Sequence, residues 1–417
     1  MTFLDKAILH FARLDPSGLS PKAPGTAGSF FSVLLAPFLF LPFSLPVRLA
    51  LLAAIFVLGA LAAVVHRDKL NLDFLRRWLT YRSIQTSQAG LTEPFTHGSG
   101  ERLDMACLES GFLFASTAGA HYYSSGGIEL ASQVTHMEKP VLSTSSRFGV
   151  VYDAGGTSLF QFGSSHEPFA YANPDSDGIL SARVNNSGWL TVTGLQSHYR
   201  GGVTVYNADH QPVISLNYSS AFVTDAILSP DCRTVAVVTI SQTDGAFQST
   251  VHFHSTNATE PFASVTLDGF TVLDMDFDSN GLWLLGDSSL ITLSPKGEEQ
   301  AQYHLDPDYL KGYTLDGDGF AALLLGKYRA GAAREVVTVG HDAQVIARHE
   351  LNGQVLSMSA SGRYLALLAG QELNLYTKDL TPYNTLYDTQ GARHAALYDD
   401  GSILLADSQE AWLYIPS

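Results

Sequence analysis

The sequence predicts an all-β fold, a β-propeller of about eight four-stranded blades, preceded by an amino-terminal transmembrane helical segment. One local pattern recurs eight times after residue 82: a short apolar strand, a turn, and a second, strongly apolar strand. The predicted first strands begin 38–47 residues apart, which is the length that four short strands and their turns occupy. Leu49–Val65 contains 17 residues without a polar side chain, close to the length of a membrane span.

Composition and charge exclude two classes of protein. The 417 residues are 46% apolar and only 15% charged, with a formal net charge of −16. A disordered chain is less apolar, and a nucleic-acid-binding protein is more basic. Residues 1–82 carry nine basic and four acidic side chains, whereas residues 83–417 carry 15 and 36. We therefore expect the two parts to lie in different surroundings, and we predict no nucleic-acid partner.

The amino-terminal part, residues 1–65, is predicted to contact membrane lipid through two apolar stretches, 29–46 and 47–65. The second stretch fits a membrane-spanning helix that begins near Pro46. The first contains Pro37, Pro42 and Pro46, and each proline removes a backbone donor that lipid cannot replace. It therefore fits a re-entrant, interfacial or kinked segment.

The number of spans decides on which side of the membrane the remainder lies. A single span with its amino terminus inside places the propeller outside the cytoplasm, and this is the favoured prediction. A two-span hairpin returns the propeller to the cytoplasm. The basic side chains in residues 66–82 outnumber those in residues 1–28, which by the positive-inside rule favours the hairpin.

Residues 66–100 are predicted to form a juxtamembrane helix followed by a linker. Within 66–82, an apolar group lies near one helical face, with basic side chains beside it, as in helices that contact anionic lipid. A solvated helix is the alternative. The apolar residues are Leu70, Phe74, Leu75 and Trp78, and the basic ones are Arg76, Arg77 and Arg82.

The propeller is assigned to residues 101–417 because the eight copies of the repeat fall there. In order they are LESGFLFAS (108–116), TSSRFGVVYD (144–153), NNSGWLTVTG (185–194), SPDCRTVAVVT (229–239), DSNGLWLLGD (278–287), DGDGFAALLL (316–325), SASGRYLALLA (359–369) and YDDGSILLAD (398–407). The last unit has room for three strands, so we predict that a strand from about residues 83–97 completes it beside Trp412–Ile415 and leaves no open sheet edge. Seven blades are the alternative if residues 224–272 or the last unit are misassigned.

Leu19–Ser29 reads LSPKAPGTAGS and precedes an apolar stretch. Over residues 1–65 the chain resembles the amino terminus of phosphatidylglycerophosphatase A, a membrane-bound lipid phosphatase. That resemblance implies phosphate contacts by Lys22 and Thr26 and a Mg²⁺ cofactor. The acidic magnesium motif of the family has no counterpart here, and phosphoryl chemistry needs a bound cation. On this resemblance the segment is a truncated relic of the enzyme, a fusion, or part of a chimeric gene.

From His66 onward the chain resembles the DUF5711 family of membrane-anchored bacterial β-propeller proteins. The resemblance is carried by HRDKLNLDFLRRWLTYRS (66–83), ASTAGAHYYSSGG (115–127) and VVYDAGGTSLFQF (150–162). It implies one amino-terminal anchor and a propeller outside the cytoplasm, and it implies no reaction. The general design is also similar to WD40-like and PQQ-like propellers.

Asp276, Asp278, Asn280 and Gly281 have the D-x-D-x-N-G spacing of a calcium loop, with Asp287 at the twelfth position. This spacing gives a candidate Ca²⁺ site. The alternative is a plain turn, because the segment coincides with the inter-strand turn of a blade, where Asp, Asn and Gly are favoured by geometry. The twelfth residue is also Asp rather than the usual Glu.

His252 and His254 alternate onto one strand face, as a pair of metal ligands would, but no third ligand is apparent and surface histidines are the favoured interpretation. The sequence contains no nucleophile elbow, zinc-protease motif or phosphate-binding loop. We therefore predict no resident cofactor and favour a membrane-anchored binding or scaffold module of the bacterial envelope, with an unknown protein or envelope polymer as partner. One alternative is a lipid phosphatase activity of the amino-terminal segment. Another is a propeller hydrolase or lyase, which would require His, Asp or Tyr side chains that converge at the mouth of the central channel.

Overall fold

The computed structural model describes residues 72–416 except residues 83, 99, 164–166, 172–175 and 244, together with Ser44 and Val47. The chain divides into two compact units, Met1–Leu75 and Arg76–Ser417. The second unit contains all the strands described below. Of the predicted membrane stretches 29–46 and 47–65, only Ser44 and Val47 are described, so both predictions lie outside the described residues, as do Lys22 and Thr26.

Helix α1 spans Leu72–Tyr81 and forms part of the helix predicted for residues 66–82. Asp73 in its first turn is favourable to the helix dipole. Within the described part of the chain, no helix combines the length and the apolar character that a membrane span needs.

The described residues form eight four-stranded antiparallel sheets, which are the blades. Blades one to four are β2 (Asp104–Leu108), β3 (Gly111–Ser116), β4 (Gly119–Ser124), β5 (Glu129–Val134); β6 (Pro140–Thr144), β7 (Gly149–Asp153), β8 (Leu159–Phe162), β9 (Phe169–Ala170); β10 (Ser176–Val184), β11 (Leu190–Gln196), β12 (Gly201–Tyr206), β13 (Pro212–Tyr218); and β14 (Phe222–Leu228), β15 (Thr234–Thr243), β16 (Ala246–Ser255), β17 (Pro261–Asp268).

Blades five to seven follow the same order, and blade eight takes its fourth strand, β1, from the beginning of the unit. They are β18 (Val272–Phe277), β19 (Leu282–Gly286), β20 (Ser289–Leu293), β21 (Glu299–His304); β22 (Tyr309–Gly317), β23 (Phe320–Gly326), β24 (Glu335–Gly340), β25 (Val345–Glu350); β26 (Val355–Ser361), β27 (Tyr364–Ala369), β28 (Glu372–Thr377), β29 (Pro382–Leu386); and β30 (His394–Leu397), β31 (Ile403–Ala406), β32 (Glu410–Tyr414), β1 (Phe95–Thr96). Eight blades are confirmed, and the seven-blade alternative is wrong.

The first strand of each blade is innermost. First strands of neighbouring blades contact one another, as β10 does β14, β22 does β26 and β30 does β2. They therefore surround a central channel. Fourth strands are outermost, and β21 and β25 alternate exposed with half-buried residues as expected of a sheet edge in water.

The second strands form the centre of the hydrophobic core. Every residue of β3 and β23 is buried, because each blade packs between two neighbours and both faces of its sheet are covered. A strand buried on both faces reads as a continuous apolar run rather than an alternation. This accounts for the apolar half of the repeated sequence pattern.

The ring is closed by β1, as predicted. Phe95 pairs with Ala411 and Thr96 with Glu410, and an isolated bridge joins Leu91 to Tyr414. The Phe95 ring stacks on Phe112 of blade one at 5.9 Å between centroids, so the closing segment also joins blade eight to blade one. Because Phe95–Thr96 belongs to a blade, the propeller begins before the predicted boundary at residue 101.

We expect the substitution Thr92→Pro to weaken this closure. The Thr92 N–H donates to Leu413 O at 2.9 Å, and the Thr92 hydroxyl accepts from the Leu413 N–H at 2.9 Å. Proline removes the donor, and the loss should lower the free energy of unfolding by about 3 kcal/mol. Hydrogen exchange at the Leu413 amide measures the local effect. Thr92→Ser, which retains both groups, is the control, and equal protection in the two variants would contradict the role of this segment.

Candidate functional site

The central channel carries a group of acidic side chains on its innermost strands. In blades one, four and five, an aspartate carboxylate accepts a hydrogen bond of 2.8–2.9 Å from the N–H of the following residue. In β14 and β18 the aspartate follows a shift of the strand register, a bulge that turns its side chain. These three residues are Asp104, Asp225 and Asp274.

Arg183 of blade three bridges two of these carboxylates. Its Nε and Nη2 donate to Asp225 Oδ2 at 2.9 and 2.6 Å, Nη2 also donates to Asp274 Oδ1 at 2.6 Å, and Nη1 donates to Met275 O at 2.8 Å. Burial opposes the charge of the guanidinium, but the two carboxylates raise the pKa of Arg183 well above its usual value. Arg183 therefore stays protonated and joins blades three, four and five across the channel.

Asp104 and two further carboxyls of the channel, Asp276 and Asp316, have no such partner. Among the described residues, no basic side chain forms an ion pair with any of these three. Enclosure by protein raises the pKa of all three, and for Asp276 the neighbouring Asp316 adds to the effect, so that its pKa rises to about 7. Asp104 and Asp316 nevertheless remain accessible to water. We call these three residues, with Arg183, Asp225 and Asp274, the channel cluster.

The channel cluster has a surplus of negative charge, with five carboxyls and one guanidinium. Such a group attracts cationic side chains or ions that enter the channel. A metal site needs several ligands converging on one point, and the described residues contain no group of three or more His, Cys, Asp or Glu side chains that could hold a metal. The surplus of carboxyls is complementary in charge to a basic group.

One end of the channel is bordered by exposed apolar side chains. This end, formed by the links between blades and the turns between second and third strands, is called the rim end. Four successive blades, four to seven, place a large side chain that is 45–53% exposed at the first or second residue of the innermost strand. We call Phe222, Leu273, Tyr309 and Leu356 the rim arc. Single exposed apolar residues are common, but a set repeated around one opening is not.

Tyr313 lies between the rim arc and the channel cluster. It is 37% exposed, and its phenol contacts the Asp274 carboxylate; burial and that carboxylate raise the pKa of Tyr313 to about 12. The phenol is therefore a neutral hydrogen-bonding group at neutral pH. It places a polar, uncharged group between the apolar rim arc and the acidic channel cluster.

The candidate calcium residues do not come together in one loop. The Asp278 carboxylate accepts hydrogen bonds from the N–H groups of Asn280 and Gly281 and from the Trp283 indole at 2.7–3.1 Å, which are the contacts of an aspartate-stabilised turn. Asp276 lies on β18 in the channel, and Asp287 follows β19 at the far end of the hairpin, beside Val272. The turn interpretation accounts for Asp278 and Asn280.

His252 and His254 lie side by side with ring centroids 6.4 Å apart, but each is occupied by hydroxyl groups. The His254 Nε2 is 2.7 Å from the Tyr218 hydroxyl, and the two His252 nitrogens lie within 3.1 Å of Thr239 and Ser264 hydroxyls. Burial lowers the pKa of both histidines. His254 is a buried residue and not a surface one as the sequence suggested.

Helix α1 packs on the opposite end of the propeller, called the helix end, where the turns between first and second strands lie. Arg77 is buried, and its guanidinium donates to Asp400 O and, at 2.8 Å, to the Tyr383 hydroxyl. Tyr81 is also buried and its hydroxyl lies 2.8 Å from Ser402 Oγ. Arg76 forms an ion pair of 2.7 Å with Asp399. Polar side chains thus hold the helix to blades seven and eight.

A cavity of about 90 Å³ lies between this helix and the helix end, bordered by Arg76, Tyr81, Cys107 and Asp399 among others. The Cys107 thiol donates to Ala396 O at 3.3 Å, and burial raises its pKa. A thiol held in the protonated form is a poor nucleophile. The cavity therefore offers polar contacts, and its thiol is not an activated nucleophile.

Arg183, Asp225 and Asp274 were not identified from the sequence. A signal was present: aligning the eight repeats places Asp104, Asp225 and Asp274 at the same point of the innermost strand, directly before a buried residue. The pairing with Arg183 has no local signal, because its partners lie 42 and 91 residues away in other blades.

We expect Arg183→Met to destabilise the protein. The substitution leaves the Asp225 and Asp274 carboxylates enclosed without their partner, at a cost of about 3 kcal/mol. Adding Asp225→Asn and Asp274→Asn to the same chain removes the unpaired charges and should recover at least half of the loss. Urea unfolding of the three proteins measures both effects, and a single variant as stable as the parent would show that the bridge contributes nothing.

We expect Asp276→Asn to change how stability depends on pH. The pKa of Asp276 is raised in the folded protein, so the folded state retains a proton that the unfolded state releases above about pH 4, and this contribution to stability is lost as pH rises towards about 7. Asparagine needs no proton, so the variant should be more stable than the parent at pH 8 by more than about 1 kcal/mol, a difference of one pKa unit being about 1.4 kcal/mol.

Thermal unfolding of both proteins from pH 4 to pH 8 tests this prediction. The difference in unfolding free energy between the two proteins removes the contribution of the other titrating groups. A constant difference over the whole range would contradict the raised pKa of Asp276.

Comparison with solved structures finds the propeller fold again. The C-terminal WD40 domain of Sif2 aligns with 80% of this chain and 98% of its own length, with a TM-score of 0.52 and 11% identity. BamB from Moraxella catarrhalis aligns with 78% of this chain and all of its own, with a TM-score of 0.47 and 11% identity. At such identities the likeness is one of fold alone. No curated protein has a significantly matching sequence.

The sequence was also compared with models of protein families. The model of DUF5711, described as a family of unknown function, matches residues 81–381. The match begins at the end of helix α1 and extends into blade seven, so it includes the channel cluster and the rim arc. This protein belongs to the DUF5711 family.

Proposed function

We propose that this protein is a membrane-tethered binding module without enzymatic activity, whose propeller lies outside the cytoplasm and holds a basic segment of another protein at the rim end of its channel. The observation that carries the proposal is the rim arc, an apolar border on four successive blades, around an opening whose interior is acidic. Exposed apolar side chains provide contact area for a partner, and complementary charge guides its approach.

Charge supports a basic partner. Residues 83–417 have 21 more acidic than basic side chains, and within the channel cluster Asp104, Asp276 and Asp316 are not neutralised by Arg183. Asp276 and Asp316 lie near the helix-end termini of β18 and β22, so a lysine or arginine side chain that enters from the rim end meets Asp104 before it reaches them. Charge of this kind accelerates encounter and determines orientation more than it adds affinity.

One aromatic ring of the rim arc already contacts a cation of the protein itself. The Arg200 guanidinium lies 4.9 Å from the centroid of the Phe222 ring, a geometry in which the ring face attracts positive charge. Phe222 and Tyr309 offer aromatic faces, and Leu273 and Leu356 offer aliphatic ones. A segment in which basic and apolar side chains alternate would match both the arc and the channel.

Photocrosslinking in intact cells tests the site. Benzoylphenylalanine replaces Phe222 or Leu273 in the full chain. The control replaces Phe262, which has the same 53% exposure as Phe222 but is the second residue of β17, at the helix end. We expect crosslinks to one protein from both rim positions, at least fivefold above the control. The crosslinked peptide should contain lysine or arginine close to the attachment point.

Equal labelling from the control position, or crosslinks to an envelope polymer in place of a protein, would overturn the proposed partner. The same chain, tagged at Ser417, reports on its location. Protease added to spheroplasts should remove the tag if the propeller lies outside the cytoplasm. Protection until lysis would support the two-span arrangement and overturn the proposed side of the membrane.

A further inference from the structure

We propose that helix α1 lies in the interface between membrane and water, with the side chains of Phe74, Leu75, Trp78 and Leu79 among the lipids. This inference rests on the proposed membrane tether and adds a specific lipid-contacting surface to it. We call the four side chains the apolar face of helix α1.

The orientation of helix α1 is the reverse of the usual one for a surface helix. A helix on a globular protein normally buries its apolar stripe and exposes its polar side. Here Arg77 and Tyr81, four residues apart and so on one side of the helix, are buried against the propeller. Leu75 and Leu79 lie on the far side of the helix from this pair, Phe74 and Trp78 lie beside the pair, and 44–52% of each of the four residues is exposed. Four large apolar side chains in water on a ten-residue helix require a covering partner.

The contacts of Arg77 hold the helix in this orientation. Arg77 is only 2% exposed, and its guanidinium is fixed by the Asp400 carbonyl and the Tyr383 hydroxyl. Gly401 leaves the space that this guanidinium occupies, since a Cβ there would lie 3.1 Å from Arg77 Nη1. Turning Trp78 and Leu79 toward the propeller would break these contacts.

A bilayer is the occupant that the sequence favours. The apolar run Leu49–Val65 ends seven positions before Leu72, and residues 66–82 carry five basic and two acidic side chains. Tryptophan, phenylalanine and leucine beside arginine are typical of helices that lie at membrane surfaces. The remainder of the protein is strongly acidic, so this basic segment is where contact with anionic lipid is electrostatically favourable.

The tryptophan content of the chain allows a direct test. The four tryptophans are Trp78, Trp189, Trp283 and Trp412, and Trp283 and Trp412 are buried in the core. The full chain is reconstituted into vesicles of phosphatidylcholine and phosphatidylglycerol, with or without bromine on the acyl chains. Brominated lipid should quench the fluorescence of the parent, and the quenched fraction should fall at least threefold in Trp78→Phe. Trp189→Phe is the matched control and should retain the quenching.

Acrylamide, a quencher confined to water, separates the other outcomes. Quenching of Trp78 by acrylamide and not by brominated lipid would place the apolar face in water. Quenching by neither would mean that protein covers it, either another segment of the chain or a second copy. Both results would overturn the inference.

Flotation of the same vesicles distinguishes this inference from the proposed tether. Protein that floats with the vesicles while Trp78 is not quenched by brominated lipid would retain the tether and refute the interfacial helix. Protein that does not float would refute the tether itself. Leu79→Glu provides a second variant, which should reduce quenching of Trp78 at least twofold with an unchanged circular dichroism spectrum.

Discussion

The pairing of β1 with β32 is the constraint on which the rest of the molecule depends. Eight blades form a ring only if the last sheet is completed by a strand from the beginning of the unit, and Phe95 and Thr96 provide it. Closure removes the last open sheet edges. It also arranges the innermost strands around one axis, so that carboxyls from blades one, four, five and six face a common space. The same pairing brings the segment after helix α1 beside blade eight.

The architecture could be predicted because its causes are local and repeated. A strand covered on both sides must be apolar throughout, so FAALLLG (320–326) and its equivalents identify blades one after another. The channel cluster could not be predicted in the same way. Arg183 meets Asp274 only because the ring curves through the one intervening blade, blade four, and nothing near either residue in the sequence records that curvature.

Helix α1 was likewise predictable only in part. The grouping of Phe74, Leu75 and Trp78 with flanking arginines was evident from helical spacing, and the structure has a helix there. Its orientation was not evident, because it depends on Arg77 reaching the Asp400 carbonyl, 323 residues further along the chain. For Asp276 and Asp278 the spacing matched a calcium loop, yet one side chain stabilises a turn and the other faces the channel.

Closure across the whole unit also determines when the protein can finish folding during its synthesis. Residues 95–96 leave the ribosome long before residues 410–414, and until the latter appear, the outer strand β1 has no partner in blade eight and blade one has an uncovered side. Contacts so distant in sequence form late and slowly. A chain whose translation stops early keeps an exposed strand edge and an incomplete core, which are the features that proteases and chaperones recognise. Ring closure therefore acts as a check that synthesis was completed.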